Sequence, residues 1–448
     1  MPLFSVYSLY SFITLLALVA LSPYFVYQAL RHGKYASGLG ERLGHLPPSL
    51  NAAGDASIWI HAVSVGEVLA AAPLIAALRR TYPELRLFLS TTTLTGQRLA
   101  RQGAVEVDGV LYCPFDWAFC VRRTLSRLRP RLFVMVDTEI WPNLLRECRR
   151  SGIPTVLANG RISARSFPRY RIIRPLFRHV LADIDRLCVQ GAEAATRFAE
   201  LGADTARITV TGSLKFDALD VVRGPGLAAD RVLRYFRVPE SRPVLVAGST
   251  LHGEDAAVIR AFKRLSTDGV RPLLVLAARH PERFADVERL CRSEGLSTVR
   301  RSDLAVDAEP RGDAVVLDTI GELADLYQIA TVVFVGGSLV PAGGHNILEP
   351  AAFGKPVVFG PHMDNFAEIA ETFLANDAAV QVQSDQELAT TIASLMGDPV
   401  RRARLGAAAR ALVDTNRGAM DRTLAVVTTL LRPEGRHAAV VRPFRVRQ

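Results

Sequence analysis

The feature that most limits the possible folds is an alternation, met twice along the chain, of short apolar runs with longer stretches of helical periodicity. "SIWIHAV", "LRLFLSTTT", "RLFVMVDTE" and "IPTVLANG" read as strands, and "GEVLAAAPLIAALRRTYP" after the first reads as a helix. Strands that take turns with helices build a parallel sheet covered on both faces. The series breaks at "VVRGPGLAADRVLRYFRVPESRP", rich in Gly, Pro and charge. It resumes with "PVLVAGST", "RPLLVLAAR", "DAVVLDT", "ATVVFVGGS" and "KPVVFGP". The expected fold class is α/β, two Rossmann-like domains facing a cleft, with ligands beyond the carboxyl ends of the strands. The expected divisions are 1–34, an amino-terminal domain 35–220, a linker 221–243, a carboxyl-terminal domain 244–410, and a closing helix and basic tail 411–448. No G-x-G-x-x-G follows the first strand, so the dinucleotide fingerprint is absent where it belongs.

The first 30 residues contain no Asp, Glu, Lys, Arg or His, and their apolar run is long enough to cross a bilayer. Arg31 and Lys34 follow that run instead of preceding it. This order argues against a cleaved secretory signal and orients the remainder to the cytoplasm. Residues 1–34 are therefore expected to be an N-terminal transmembrane helix, a single-pass anchor. Cys113, Cys120, Cys148, Cys188 and Cys291 form no CxxC pair and read as small buried hydrophobes in a reducing compartment. The net charge of +10 calls for an anionic partner, and nucleic acid, acidic lipid and phosphorylated small molecules all fit that bare fact. "RISARSFPRYRIIRPLFRHV" (161–180), with six arginines and no acid, is expected to be a basic helix suited to anionic lipid or phosphorylated headgroups. The anchor favours membrane over nucleic acid, and a solvated arginine face is the plain alternative.

The strand ends carry the polar residues. In the first half they are Glu67 of "HAVSVGE", Thr91 to Thr93 of "STTTLTGQ", Asp137 and Glu139 of "DTEIWPNLL", and Asn159 and Arg161 of "NGRIS". Glu67 falls in the first turn of a helix, where an acid either compensates the dipole or takes a proton from a substrate. Lys215 in "TGSLKFD" follows the last strand of this half and can reach a phosphate, unless it is simply exposed. In the second half, "FVGGSLVPAGGHNILEPAAFGKPVVFGP" ends a strand in glycines and opens a helix near Asn346 with Glu349 in its first turns. Glycines admit close backbone approach and helix starts attract phosphate, although the same pattern also describes a capped glycine turn. Arg279 and His280 of "RHPERF" and Gly321 and Glu322 of "TIGEL" stand after neighbouring strands. No H-E-x-x-H or paired-cysteine arrangement stands out as a metal site, so no metal or cofactor is expected.

Taken together and in order, "HAVSVGE", "TTTLTGQ", "DTEIWPNLL", "NGRIS", "TGSLKFD", "RHPERF" and "GGSLVPAGGHNILEPAAFGKPVVFGP" resemble the 3-deoxy-D-manno-octulosonic acid (Kdo) transferase family of lipopolysaccharide synthesis. The resemblance covers nearly the whole chain after the anchor. It implies a GT-B glycosyltransferase at the cytoplasmic face of the inner membrane that moves Kdo from CMP-Kdo to a lipid A precursor, with inversion and without a required metal. Carried over residue by residue, it makes Glu67 the general base and assigns Glu139 and Lys215 to support of the transition state. It gives the CMP site Arg279, His280, Gly321, Glu322, Asn346, Ile347, Leu348 and Glu349. An epimerase on the same double-domain architecture, which needs no anchor or basic amphipathic face, and a non-catalytic membrane-bound nucleotide sensor are the rival classes.

Overall fold

The computed structural model describes residues 7–16, 20, 38–163, 166–223, 232–265 and 271–431. The chain divides into two compact units, Met1–Leu214 with Gly418–Gln448, and Lys215–Arg417.

The first unit is built on seven strands: β1 (Ser57–His61), β2 (Arg86–Thr91), β3 (Gly109–Tyr112), β4 (Pro130–Val136), β5 (Thr155–Gly160), β6 (Arg186–Val189) and β7 (Ile208–Val210). Their order is β3-β2-β1-β4-β5-β6-β7 and every pair is parallel. Alternate side chains feed two apolar layers. Trp59, Phe88, Phe133 and Leu157 enter one, and Ile58, Ile60, Leu87, Val134 and Val156 the other. This two-sided burial is why the strands read as unbroken apolar runs, each large side chain contributing about 1.5–3 kcal/mol.

The second unit repeats the plan with β8 (Val244–Thr250), β9 (Leu273–Ala278), β10 (Thr298–Arg300), β11 (Ala314–Val316), β12 (Val332–Val335), β13 (Val357–Phe359) and β14 (Val380–Gln381). The order is β10-β11-β9-β8-β12-β13-β14, again all parallel. Val246, Val275, Val333 and Phe359 pack on one face, and Leu245, Leu274, Phe334 and Val358 on the other. The chain changes direction across the first sheet between β1 and β4, and the second sheet has the matching switch between β8 and β12. Doubly wound sheets open a crevice at that switch point.

Among the described residues no helix is long and apolar enough to cross a membrane. Most of the expected anchor, 1–34, and the basic tail after Leu431 lie outside the described residues, as do 224–231 of the expected linker. Residues 7–16 form a helix lying against the first unit. Tyr7 donates to Asp183 Oδ2 at 2.6 Å, and Asn143 Nδ2 donates to Ser11 Oγ at 3.0 Å. Leu9, Phe12, Ile13 and Leu16 of the same helix stay exposed.

Two helices expected to be continuous are broken. The arginine-rich stretch 161–180 forms Phe167–Ile172 and Arg174–Leu181, with proline in the first turn of each and residues 164–165 outside the described set. A proline has no N–H to donate and starts a helix more readily than it continues one. The closing stretch splits into Pro399–Asn416, in the second unit, and Ala419–Leu431, in the first, around Gly418 at φ 83°. All five cysteines are buried and free, and burial pushes the thiols of Cys120 and Cys291 up to about 11 and about 12, so they stay protonated.

Candidate functional site

At the switch point of the first unit, β1 hands the chain through Ala62 and Val63 to the helix Val65–Thr81, while adjacent β4 ends at Asp137. Glu67 stands in the helix's first turn. Its Oε2 accepts the Val63 N–H at 2.7 Å and its Oε1 accepts the Ser64 hydroxyl at 2.9 Å. The Ser64-x-x-Glu67 spacing is that of a capping box, but Ser64 makes no side-chain cap to the helix backbone. Its hydroxyl is turned to the carboxylate instead.

Burial, and next the charge of Asp137, push the Glu67 carboxyl from the ordinary 4.5 to about 7; the bonds from Val63 and Ser64 pull against them and lose. Glu139 adds its charge to the upward shift and is itself raised, by burial and then by Asp137. Three carboxylates thus share this end of the sheet. Asp137 is buried and stands at φ 59°, in the left-handed region. Asn159, at the end of β5 and also at φ 59°, donates from Nδ2 to Asp137 Oδ1 and accepts the Leu214 N–H at 2.9 Å. Arg161 Nε lies 3.6 Å from Asp137 Oδ2. Two left-handed non-glycine residues side by side are costly, and such strain gathers where function over-determines the backbone.

The three threonines after β2 divide. Thr93 donates to the Val63 carbonyl at 3.0 Å and caps the helix Leu94–Arg101 through Gly96 N at 3.1 Å. Thr91 pairs with the Gln97 side chain, while the Thr92 hydroxyl is buried without a partner.

In the second unit, Arg279 and His280 are exposed beyond β9, where the Arg279 N–H donates to the Thr250 carbonyl at 3.0 Å. Arg283 of the same stretch has a structural task, pairing with buried Asp255. Gly321 takes φ 89° and leads into Glu322, which is clasped by Arg301 through two 2.8 Å contacts and accepts the Thr319 hydroxyl at 2.6 Å. Arg301 itself stacks 3.5 Å over the Tyr235 ring.

Asn346 Oδ1 accepts the Leu348 N–H at 3.0 Å and its Nδ2 donates to Glu349 at 3.1 Å. A helix does open near Asn346, with Glu349 in its first turn, but it runs only over Leu348–Ala351, four residues. A single turn has almost no macrodipole, so anion binding here must come from loop amides and side chains. Ile347 and Leu348 are fully buried, which leaves a ligand only their main chain.

Lys215, the first residue of the second unit, approaches the 365–366 segment. Its Nζ is 3.5 Å from the Asn365 carbonyl and 5.2 Å from the centre of the Phe366 ring. Asn365 N in turn donates to Gly343 O at 2.9 Å. His345 was not singled out in the sequence. Its Nε2 is buried without a partner, and burial, then the charges of Arg279 and His280, lower its pKa to about 4. That coupling brings the "RHPERF" and "GGHNILE" stretches to one place, which sequence spacing alone does not do. Ser64 was missed as well, although the S-x-x-E spacing announces it.

Residues 37–218 match the family model described as 3-Deoxy-D-manno-octulosonic-acid transferase (kdotransferase), and residues 257–412 match Glycosyl transferases group 1. The 3-deoxy-D-manno-octulosonic acid transferase of Haemophilus influenzae is 35% identical over 410 residues, 88% of this chain and 92% of the relative. That of Bordetella pertussis is 37% identical over 378 residues, 82% of this chain and 86% of the relative. Among solved structures, UDP-GlcNAc 2-epimerase from Neisseria meningitidis, bound to UDP-GlcNAc, matches with a TM-score of 0.56 at 12% identity, over 84% of this chain and 99% of that one. At that identity the likeness speaks to fold alone.

Proposed function

The chain belongs to the 3-deoxy-D-manno-octulosonic acid (Kdo) transferase family and is a glycosyltransferase, and from that premise we propose that it transfers Kdo from CMP-Kdo to lipid IVA, a lipid A precursor, with inversion and Glu67 as general base. The observation that carries this reading is the Glu67 carboxyl itself, at the switch point and raised to about 7 by burial and Asp137. A general base works best when its pKa lies near the operating pH.

The chemistry runs in one displacement. A hydroxyl of the acceptor loses its proton to Glu67 as its oxygen attacks the anomeric carbon of Kdo. The bond from that carbon to the phosphate oxygen breaks, and its electron pair leaves with CMP. Attack opposite the leaving group inverts the centre. Positive charge that builds on the sugar is opposed by the Glu139 carboxylate, and negative charge on the departing phosphate is met by Lys215. Arg279, His280, Gly321, Glu322 and the 346–349 segment are read as the CMP site. Direct charge and hydrogen bonds would then do what a divalent ion does in many sugar transferases.

Membrane attachment is part of the proposal. The apolar run within residues 1–34, followed by Arg31 and Lys34, supports an anchor with both units on the cytoplasmic side of the inner membrane. The outward Leu9, Phe12, Ile13 and Leu16 add apolar surface to it.

The test is product mass analysis after incubating membranes bearing the chain with CMP-Kdo and lipid IVA. A Kdo-bearing lipid is expected, its mass giving the number of units added. Well-folded protein that yields none overturns the proposal. Conversion of the nucleotide sugar without any acceptor would point to the epimerase class instead.

A further inference from the structure

The turn after β12 is shaped by a residue that no role above uses. Glu254, first in the helix Glu254–Leu265 that follows β8, is completely buried. Its Oε2 accepts the N–H groups of Leu251 at 2.8 Å and Gly337 at 2.7 Å. Its Oε1 accepts those of Ser338 and Leu339, both at 2.9 Å. Three successive amides converging on one anion form a nest, the kind of concavity that many nucleotide folds offer to phosphate. This one lies at the switch point of the second sheet, and the protein's own carboxylate fills it.

The fit is close on every side. A Cβ on Gly336 would stand 2.6 Å from Thr250 Cα and 2.9 Å from Glu254 Oε2. The Gly344 N–H donates to Gly337 O at 2.7 Å, so the turn held by Glu254 clasps the segment that continues into Asn346 and Glu349. On its far side, Gly360 N donates to Ser338 Oγ at 2.8 Å and His362 N to Ser338 O at 2.9 Å.

We infer that Glu254 is a positioning residue of the donor site: by occupying the nest it fixes the 336–339 turn, orients the 344–349 segment against the nucleotide, and excludes the donor phosphate from the switch point. This rests on the reading of residues 346–349 as part of the CMP site. Charge-assisted bonds to amides are the stronger kind, and all four are lost together when the carboxylate goes.

The experiment uses the full chain and CMP as probe, with binding followed by calorimetry. Glu254→Gln turns an amide nitrogen toward donors and is expected to weaken CMP binding by at least about tenfold, roughly 1.4 kcal/mol, while the melting profile still shows a folded chain. Glu254→Ala empties the nest. Its CMP affinity is expected to recover on adding formate and not on adding chloride at equal ionic strength, a rescue that a merely structural residue does not show. Unchanged affinity in both variants, or a loss that formate leaves unrepaired, overturns the inference.

Should neither variant fold, hydrogen exchange on the wild-type chain decides. The Gly337, Ser338 and Leu339 amides are expected to be protected with or without CMP. Free exchange that CMP suppresses would mean the ligand fills the nest, and Glu254 would lose its role. A wild-type chain that binds no CMP refutes the donor-site reading and leaves the exchange result to judge Glu254.

Discussion

Replacing Glu67 by Gln should remove catalysis and, above neutral pH, make the protein more stable. Gln keeps the shape and both local bonds, because its oxygen can accept the Val63 N–H and its amide can donate to the Ser64 hydroxyl. What it loses is the charge. The folded state holds the Glu67 proton up to about pH 7, against the ordinary 4.5. Below 4.5 both folded and unfolded chains are protonated and nothing is at stake. Between 4.5 and 7 the folded state binds more proton than the unfolded one, so stability falls as pH rises, and above 7 the full cost of the ionised carboxylate is present. At 1.36 kcal/mol per tenfold, the interval sets a ceiling of about 3 kcal/mol, and partial solvent access keeps the actual gain below that. For a unit of this size each kcal/mol moves the midpoint by about 2–4 °C. Thermal melts of Glu67→Gln and wild type should therefore coincide near pH 4.5 and separate by several degrees by pH 8, the variant higher, while Kdo transfer falls by about 10²–10⁴-fold. A gap that ignores pH, a variant that melts lower at pH 8, or one that still turns over would refute the reasoning.

In the wild type, kcat for transfer should rise with pH through about 7 as Glu67 ionises, and Asp137→Asn should move that limb to lower pH, since the Asp137 charge is the second contribution raising Glu67; a limb that stays put in the pH–rate profile refutes the link. Lys215→Ala should cut kcat by about a hundredfold with little change in KM for the lipid, read from initial rates in the membrane assay. Gly336→Ala forces a Cβ to within 2.7 Å of the Ser249 carbonyl, backbone that cannot swing aside. It should cost about 1–3 kcal/mol, visible as a lower melting midpoint.

The strands were legible because each is apolar on both faces. Ile58, Trp59 and Ile60 cannot be mistaken for a half-exposed pattern. The strand-end acids were legible for the same reason: Glu67, Asp137 and Glu139 are the first acidic residues after buried runs. What periodicity could not convey was their mutual effect. Glu67 and Asp137 are distant in sequence and meet only because β1 and β4 are neighbours, and that adjacency makes burial and charge prevail over the helix start. Helix lengths were the other blind spot. The arginine stretch reads as one amphipathic run until Pro168 and Pro175 are given their steric weight. The turn at Leu348–Ala351 is short because the chain reaches Gly354, at φ 65°, almost at once. Lys215 follows β7 and so reads as part of the first half, yet the carbonyl it approaches belongs to Asn365, far along the chain.

The closing helix Ala419–Leu431 has a consequence for how the molecule is made. Ala419, Val427 and Leu431 are core residues of the first unit, packed with Ile58, Leu87 and Val134. During synthesis that core stays short of one wall until residue 431 has left the ribosome, whereas the second unit has all of its strands by Gln381. The domain begun first is completed last. A stop after Arg417 therefore injures the first unit, far back along the chain, exposing apolar sheet surface there while leaving the second unit whole.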